Sequence, residues 1–140
     1  MLGVDPRHEP RAVLVVNDDG LVLDRSGVGV WLIRGSADGL VYPAGERLVW
    51  LLPVLERSAD DVLSASPELR ADRSVLTALV CFALTAWSDY WRSLALDWLE
   101  AGWPLDATTS DALATAKDSL QFSQTTRHRA TALWRSTTEA

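Results

Sequence analysis

Cysteine and histidine are scarce in this sequence, which leaves little material for several kinds of functional site. Cys81 is the only cysteine, so no disulfide can form within the chain. It stands in the uncharged stretch 74–88, which predicts a buried, unreactive thiol in a reducing compartment. The two histidines, His8 and His128, have neither HxxxH nor HExxH spacing, so we expect no metal site.

Sequence motifs for catalysis and for nucleotide binding are missing as well. No Gly-x-Ser-x-Gly pattern occurs, and no serine, histidine and aspartate can be argued into a triad. Gly27 and Gly29 begin a glycine-rich pattern, but strand-forming residues follow them, whereas a dinucleotide loop leads into a helix. The aspartate pairs at 18–19 and 60–61 are typical of a turn and of an exposed helix face. The sequence therefore favours a protein without catalytic residues and without a cofactor.

Basic residues are outnumbered, with 13 against 19 acidic ones, which gives a formal net charge of −6. An acidic surface repels the phosphates of nucleic acids and anionic membranes, so we expect neither as a partner and favour a basic protein. All but one of the basic residues are arginines, a bias typical of a high-GC bacterial genome.

Long apolar segments are also lacking. The longest uncharged stretch, 74–88, is shorter than the roughly 20 apolar residues of a membrane span. The first residues lack the basic and apolar regions of a signal peptide. Both observations predict a cytoplasmic protein.

What the sequence does contain is a change of pattern near residue 43. Short apolar, β-branched runs at 12–16, 21–23, 28–33 and 40–42 alternate with turn residues such as Asn17-Asp18-Asp19-Gly20 and the segment 35–39. They predict an antiparallel sheet of three or four short strands, preceded by an extended arm at residues 1–11.

Residues 46–137 favour helices. Pro53 is expected to divide the segment 46–64 into two helices, and Ser66 with Pro67 should begin another. A long helix is predicted over 73–101, capped by Gly102, with further helices at 108–120 and 124–135. We therefore predict one α+β domain spanning 1–140, with the sheet followed by a bundle of three or more helices.

Seven tryptophans form the other notable feature. The helical spacing of Trp87, Tyr90 and Trp91 places them in the predicted core stripe. Trp98, Trp103 and Trp134 stand near helix ends, where full burial is harder to achieve.

The last predicted helix carries the only cluster of basic residues, including Arg127 and Arg129. If this helix returned alongside the helix 73–101, these arginines would approach Asp97 and Glu100 near the C-terminus of the long helix. Trp134 would then pack at the opposite end of the long helix. The resulting hypothesis is a mixed aromatic and polar partner-binding surface. Its predicted members are Trp98, Trp103, Arg127, Arg129 and Trp134.

Three functions remain open on the sequence alone. The first is a small cytoplasmic protein-binding module, of the immunity or adaptor type, that binds a more basic partner. The second is a small-molecule-binding protein or enzyme with a cleft lined by tryptophan and arginine. The third is the subunit of a structural homo-oligomer that buries its surplus tryptophans.

Overall fold

The computed structural model of this chain describes residues 11–35 and 40–138. Within these ranges a four-stranded antiparallel sheet is followed by seven α-helices, which confirms the predicted α+β fold. The arm predicted at 1–11 lies outside the described residues except for Arg11, with which the first strand begins. Most of the turn predicted at 35–39 also lies outside them.

The strands are arranged in the sheet in the order in which they occur in the chain. They are β1 (Arg11–Val15), β2 (Val22–Arg25), β3 (Trp31–Arg34) and β4 (Val41–Pro43). Each pairs antiparallel with its neighbour, as predicted, although the predicted bounds differ by one to three residues. The register aligns Leu14, Leu23 and Ile33, and all three are buried in the same core cluster as the helices.

The first hairpin forms where its turn residues predict it. The side-chain Oδ1 of Asn17 accepts hydrogen bonds from the backbone N–H groups of Asp19 and Leu21, each at 3.1 Å. Gly20 has a φ of 89°, a backbone conformation that is energetically unfavourable for any residue with a Cβ atom. The asparagine and the glycine therefore set the register of β1 against β2.

The helical part follows the sheet directly. Its α-helices are α1 (Leu48–Leu51), α2 (Ala59–Ala65), α3 (Pro67–Ala71), α4 (Ser74–Leu84), α5 (Asp89–Glu100), α6 (Ala107–Lys117) and α7 (Gln124–Thr138), with 3₁₀ helices at Ala44–Glu46 and Leu52–Glu56. Pro53 stands in the first turn of the second 3₁₀ helix, where its missing N–H group is harmless, and so divides the segment as predicted. The Ser66 hydroxyl accepts from the N–H of Leu69 at 3.2 Å, which makes it the predicted N-cap of α3.

The single long helix predicted over 73–101 is wrong. The chain leaves the helical conformation after α4, because Thr85 is the C-cap and Ser88 adopts an extended conformation (φ −105°, ψ 124°). The Thr85 hydroxyl donates to the carbonyl of Phe82 at 3.0 Å, which satisfies one of the carbonyls left free at the helix end. A second helix, α5, then begins at Asp89, whose negative charge is favourable at a helix N-terminus. Gly102 follows α5 with a φ of +111°, as expected for a residue that ends a helix.

The predicted direction of the last helix is also wrong. The N–H of Ser123, which precedes α7, donates to Asp89 at the start of α5, and Arg129 contacts Asp97 and Glu100 further along. The contacts advance in the same order on both helices, so α7 runs in the same direction as α5. Trp134 consequently lies beyond the C-terminal part of α5, and not beside its beginning.

Candidate functional site

Two of the predicted site residues, Trp98 and Trp103, form a buried pair at the end of α5. Their ring centroids are 5.1 Å apart, and the two side chains are 2% and 5% exposed. The indole N–H of Trp98 donates to the carbonyl oxygen of Arg57 at 2.9 Å, which joins α5 to the segment after the second 3₁₀ helix. The indole nitrogen of Trp103 is buried and has no hydrogen-bond partner within residues 11–35 and 40–138, and the guanidinium of Arg73 lies 5.6 Å from its ring.

Arg129 makes the contacts that the sequence predicts for it. Its guanidinium binds Asp97 and both carboxylate oxygens of Glu100, at 2.6 and 3.1 Å for Glu100, and also donates to the hydroxyl of Ser93 at 3.1 Å. These hydrogen bonds, first those to Glu100, raise the pKa of Arg129. The arginine therefore fastens α7 to α5, and its charge is largely neutralised there.

Arg127 and Trp134 are not part of this group. The Nε atom of Arg127 is buried and has no hydrogen-bond partner among the described residues. Within these residues the acids Asp97 and Glu100 form ion pairs with Arg129 and not with Arg127. The ring of Trp134 is half-buried against the ammonium of Lys117 on α6, 4.6 Å from its centroid. The structure thus places Trp98, Trp103 and Arg129 around the C-terminal half of α5, and gives the other two predicted residues different surroundings.

A more exposed apolar surface lies at the opposite end of the helices. It consists of Trp87, Tyr90 and Leu120, which are 70%, 54% and 87% exposed, and we call it the aromatic end. Trp87 belongs to the turn between α4 and α5, and Leu120 to the turn between α6 and α7. The hydrogen bond from the Ser123 N–H to the Asp89 carboxylate, 3.3 Å, holds the two turns together.

Tyr90 connects the aromatic end to the rest of the surface. Its hydroxyl donates to Glu56 Oε2 at 2.6 Å, and this hydrogen bond raises the pKa of the phenol. Its ring packs edge-on against Trp91, with 4.8 Å between the ring centroids. The tyrosine is therefore held in a fixed position although more than half of it is exposed to solvent.

Sequence reasoning missed the aromatic end because it placed Trp87 and Tyr90 in the buried stripe of an uninterrupted helix. The signal that was present is the pair Ser88 and Asp89, which is typical of a helix start and marks the break. Once the helix is interrupted there, helical spacing no longer relates Trp87 to the apolar face of α5.

A groove runs along the C-terminal half of α5, from Leu94 to Ala101. We call it the α5 groove; it has a volume of about 220 Å³ and is lined by Leu55, Glu56, Arg57, Ser58, Ala59, Leu94, Asp97, Trp98 and Ala101. A smaller depression of about 120 Å³ continues it toward Gly102 and Trp103. The buried tryptophans therefore form part of the lining of a shallow channel and leave little of their own surface exposed.

Cys81 lies in a different groove, of about 340 Å³, beside Asp106 and Thr108. The thiol is half-buried where full burial was expected, and its Sγ atom is 3.4 Å from the hydroxyl oxygen of Thr109. Burial raises the pKa of Cys81, which disfavours the reactive thiolate. The unreactive thiol stays a prediction.

Residues 11–35 and 40–138 lack two further kinds of feature. Among them no three His, Cys, Asp or Glu side chains are grouped so as to hold a metal ion. None of their helices has the length and hydropathy needed to cross a membrane. Comparison with protein-family models, curated proteins and solved structures finds no match for this chain.

Proposed function

We propose that this chain is a small cytoplasmic protein-binding module without catalytic activity, and that its partner docks on the aromatic end. The observation that carries the proposal is the exposure of Trp87 and Leu120, 70% and 87%, on two turns at the same end of the helices. Large apolar side chains grouped on a surface are typical of protein interfaces, and tryptophan and tyrosine are enriched among the residues that dominate binding energy.

Trp98 and Trp103 are buried, which favours a role in the core over the partner contact predicted for them. A partner cannot contact rings that are 2% and 5% exposed unless the chain opens, whereas Trp87 is accessible without any rearrangement. The net charge of −6 favours a partner more basic than the module itself, as an immunity or adaptor protein would require.

The geometry gives less support to the alternative of a small-molecule site. The two depressions beside Trp98 have volumes of about 120 and 220 Å³. Typical ligand pockets have about 300–1,000 Å³ and enclose most of the ligand. The groove beside Cys81, of about 340 Å³, reaches this size, but its described lining residues include neither tryptophan nor arginine. Self-association through the aromatic end is the second alternative, and the experiment below separates it from binding to another protein.

The test compares three forms of the chain purified with an affinity tag from its native host. They are the wild type, the double variant Trp87→Ser/Leu120→Ser, and Val28→Ser. Val28 is a matched control because it is 80% exposed but lies in the turn between β2 and β3. Mass spectrometry should identify a protein that accompanies the wild type and the control and is lost from the double variant.

A protein that accompanies all three forms equally would contradict the proposal. Light scattering on the purified chain provides the second readout. If the wild type is a dimer and the double variant a monomer, a second copy covers the aromatic end, and the homo-oligomer alternative is correct.

A further inference from the structure

The floor of the α5 groove is apolar and firmly held. Leu55, Ala59, Leu94 and Ala101 line it together with Trp98. Trp98 is fixed by its hydrogen bond to the carbonyl of Arg57, and Leu55 is 2% exposed within the core. The groove is therefore a property of the packed core, and a side chain that enters it meets a preformed apolar surface.

Among the described residues that line the groove Arg57 is the only basic one, and its charge is directed elsewhere. The guanidinium of Arg57 donates to the carbonyl oxygen of Val15 at 2.7 Å and to that of Val16 at 3.4 Å, at the end of β1. Its hydrogen bonds join the sheet to the helices. The positive charge thus has neutral partners outside the α5 groove.

Two carboxylates, those of Glu56 and Asp97, border the same groove. Oε2 of Glu56 accepts a hydrogen bond from the hydroxyl of Tyr90, and Oδ1 of Asp97 accepts one from the guanidinium of Arg129. Each of these contacts engages one oxygen of the carboxylate, and a carboxylate can accept further hydrogen bonds through both of its oxygens. The Asp97 side chain is 57% exposed, and Glu56 is exposed as well.

An apolar floor with carboxylates at its border is complementary to lysine and arginine. Both side chains have an apolar stem that packs on hydrophobic surface and a charged tip that stays near water and acceptors. A purely apolar side chain would displace water from Glu56 and Asp97 without giving them a new hydrogen bond, and an acidic one would be repelled.

The α5 groove also adjoins the aromatic end. Glu56 lines the groove and accepts the hydroxyl of Tyr90, so one partner surface can cover both. From the shape, the charges and this continuity we infer that the α5 groove receives a lysine or arginine side chain of the protein partner. The inference rests on the proposed function, since it names the chemistry of the partner that docks there.

The test measures ¹⁵N chemical-shift changes of the full chain during titration with short peptides. One peptide alternates leucine with lysine, and its control alternates leucine with glutamate. The lysine peptide should bind saturably and shift the amides of Ala59 and Ala101 and the indole N–H of Trp98. The glutamate peptide should leave these signals unchanged.

A double variant, Glu56→Gln/Asp97→Asn, removes both charges and retains similar shapes. We expect it to weaken binding of the lysine peptide about tenfold, the effect of two partly exposed ion pairs. The control Asp18→Asn/Asp111→Asn changes the net charge equally at exposed positions away from the groove and should bind as the wild type does. Equal weakening by both variants, or shifts located elsewhere on the chain, would overturn the inference.

The two proposals can fail separately. If the native partner is lost from Trp87→Ser/Leu120→Ser but binds Glu56→Gln/Asp97→Asn as tightly as wild type, the groove inference is wrong and the proposed function stands. If the partner is lost only from the groove variant, the groove inference stands and the aromatic end is not the docking site.

Discussion

The two ends of α5 bring tryptophans to opposite environments. At its beginning Trp87 is 70% exposed, and just beyond its end Trp103 is 5% exposed. Both residues stand in turns that join helices, so residue type and local position do not explain the difference. Trp103 is covered because Trp98 and the side chain of Arg73 lie against its ring. Burial at a turn therefore depends on which distant segments reach it, and the exposed end is the one free to serve a partner.

The largest effect is expected at the buried end. Trp103→Ala removes a ring packed against Trp98 and should lower the free energy of unfolding by about 3–5 kcal/mol. Trp103→Phe is the matched control, since it retains an aromatic ring and removes the unpaired indole N–H, and should cost less than about 1.5 kcal/mol. Urea unfolding measures both. A loss below about 1 kcal/mol for the alanine variant would mean that the buried pair contributes little to the fold.

A buried arginine, Arg92, lies beneath the aromatic end. Replacing it should raise the free energy of unfolding, whereas Trp103→Ala should lower it. Arg92 is 2% exposed, its Nε and Nη1 atoms have no hydrogen-bond partner in the described part of the chain, and burial lowers its pKa. Its guanidinium stacks on Phe122, an interaction worth up to about 2 kcal/mol. The attraction between Arg92 and Asp89 acts on the pKa less than burial does. Two unpaired buried donors cost about 1–3 kcal/mol each, so we expect their penalty to exceed the combined benefit of stacking and of this attraction.

Arg92→Met should therefore raise the free energy of unfolding, by about 1–2 kcal/mol, because methionine keeps a contact with Phe122 and removes the buried charge. Arg135→Met, at an exposed position of α7, is the control and should change stability by less than about 0.5 kcal/mol. If Arg92→Met is instead destabilised in thermal unfolding, the interaction with Phe122 outweighs the cost of burying the charge.

The predictions from sequence succeeded where the structure depends on residues that are close together in the chain. Asn17 and Gly20 set a hairpin, and Ser66 with Pro67 begins α3, because the hydrogen bonds and dihedral angles involved span only a few residues. The approach of Arg129 to Asp97 could also be predicted, because opposite charges on neighbouring helices attract.

Predictions that depended on long-range packing were less successful. The residues before Trp87 in the uncharged stretch 74–88 carry no charge that would mark the solvent-facing side of a helix. Helical spacing therefore does not distinguish a buried position of Trp87 from one beyond a helix end. The direction of α7 relative to α5 is set by the turns at 101–106 and 118–123 together, which no single segment encodes. For these reasons the sequence predicts a core position for Trp87 and a partner surface that includes Trp98 and Trp103, whereas in the structure Trp87 is exposed and the other two are buried.

A smaller, pH-dependent effect should appear at the hydrogen bond that joins the two turns of the aromatic end. Although burial acts in the other direction, hydrogen bonds from the backbone and side chain of Ser123 and from Thr126, together with the positive charge of Arg92, lower the pKa of Asp89 below its ordinary value of 3.8. A carboxyl whose pKa is lower in the folded state stabilises the fold above pH 3.8, and this contribution is lost as the pH falls through the folded value.

The comparison of wild type with Asp89→Asn isolates this contribution from those of other carboxyls. The variant should be less stable at neutral pH, and the difference should shrink as the pH is lowered below 3.8. Urea unfolding at a series of pH values measures it. A difference that is independent of pH would mean that the ionised carboxylate does not hold the turns together.

The smallest effect on stability is expected for Trp87→Ala, which is also the sharpest test of the comparison. The side chain is 70% exposed, so truncating it removes little buried surface and should change the free energy of unfolding by less than about 0.5 kcal/mol. Chemical unfolding of Trp87→Ala beside Trp103→Ala measures the contrast directly. A cost above about 2 kcal/mol would show that Trp87 packs on the chain in solution, and the aromatic end would then lose its central residue. With stability unchanged, any loss of partner binding by this variant must come from the missing indole itself, because the rest of the surface remains folded.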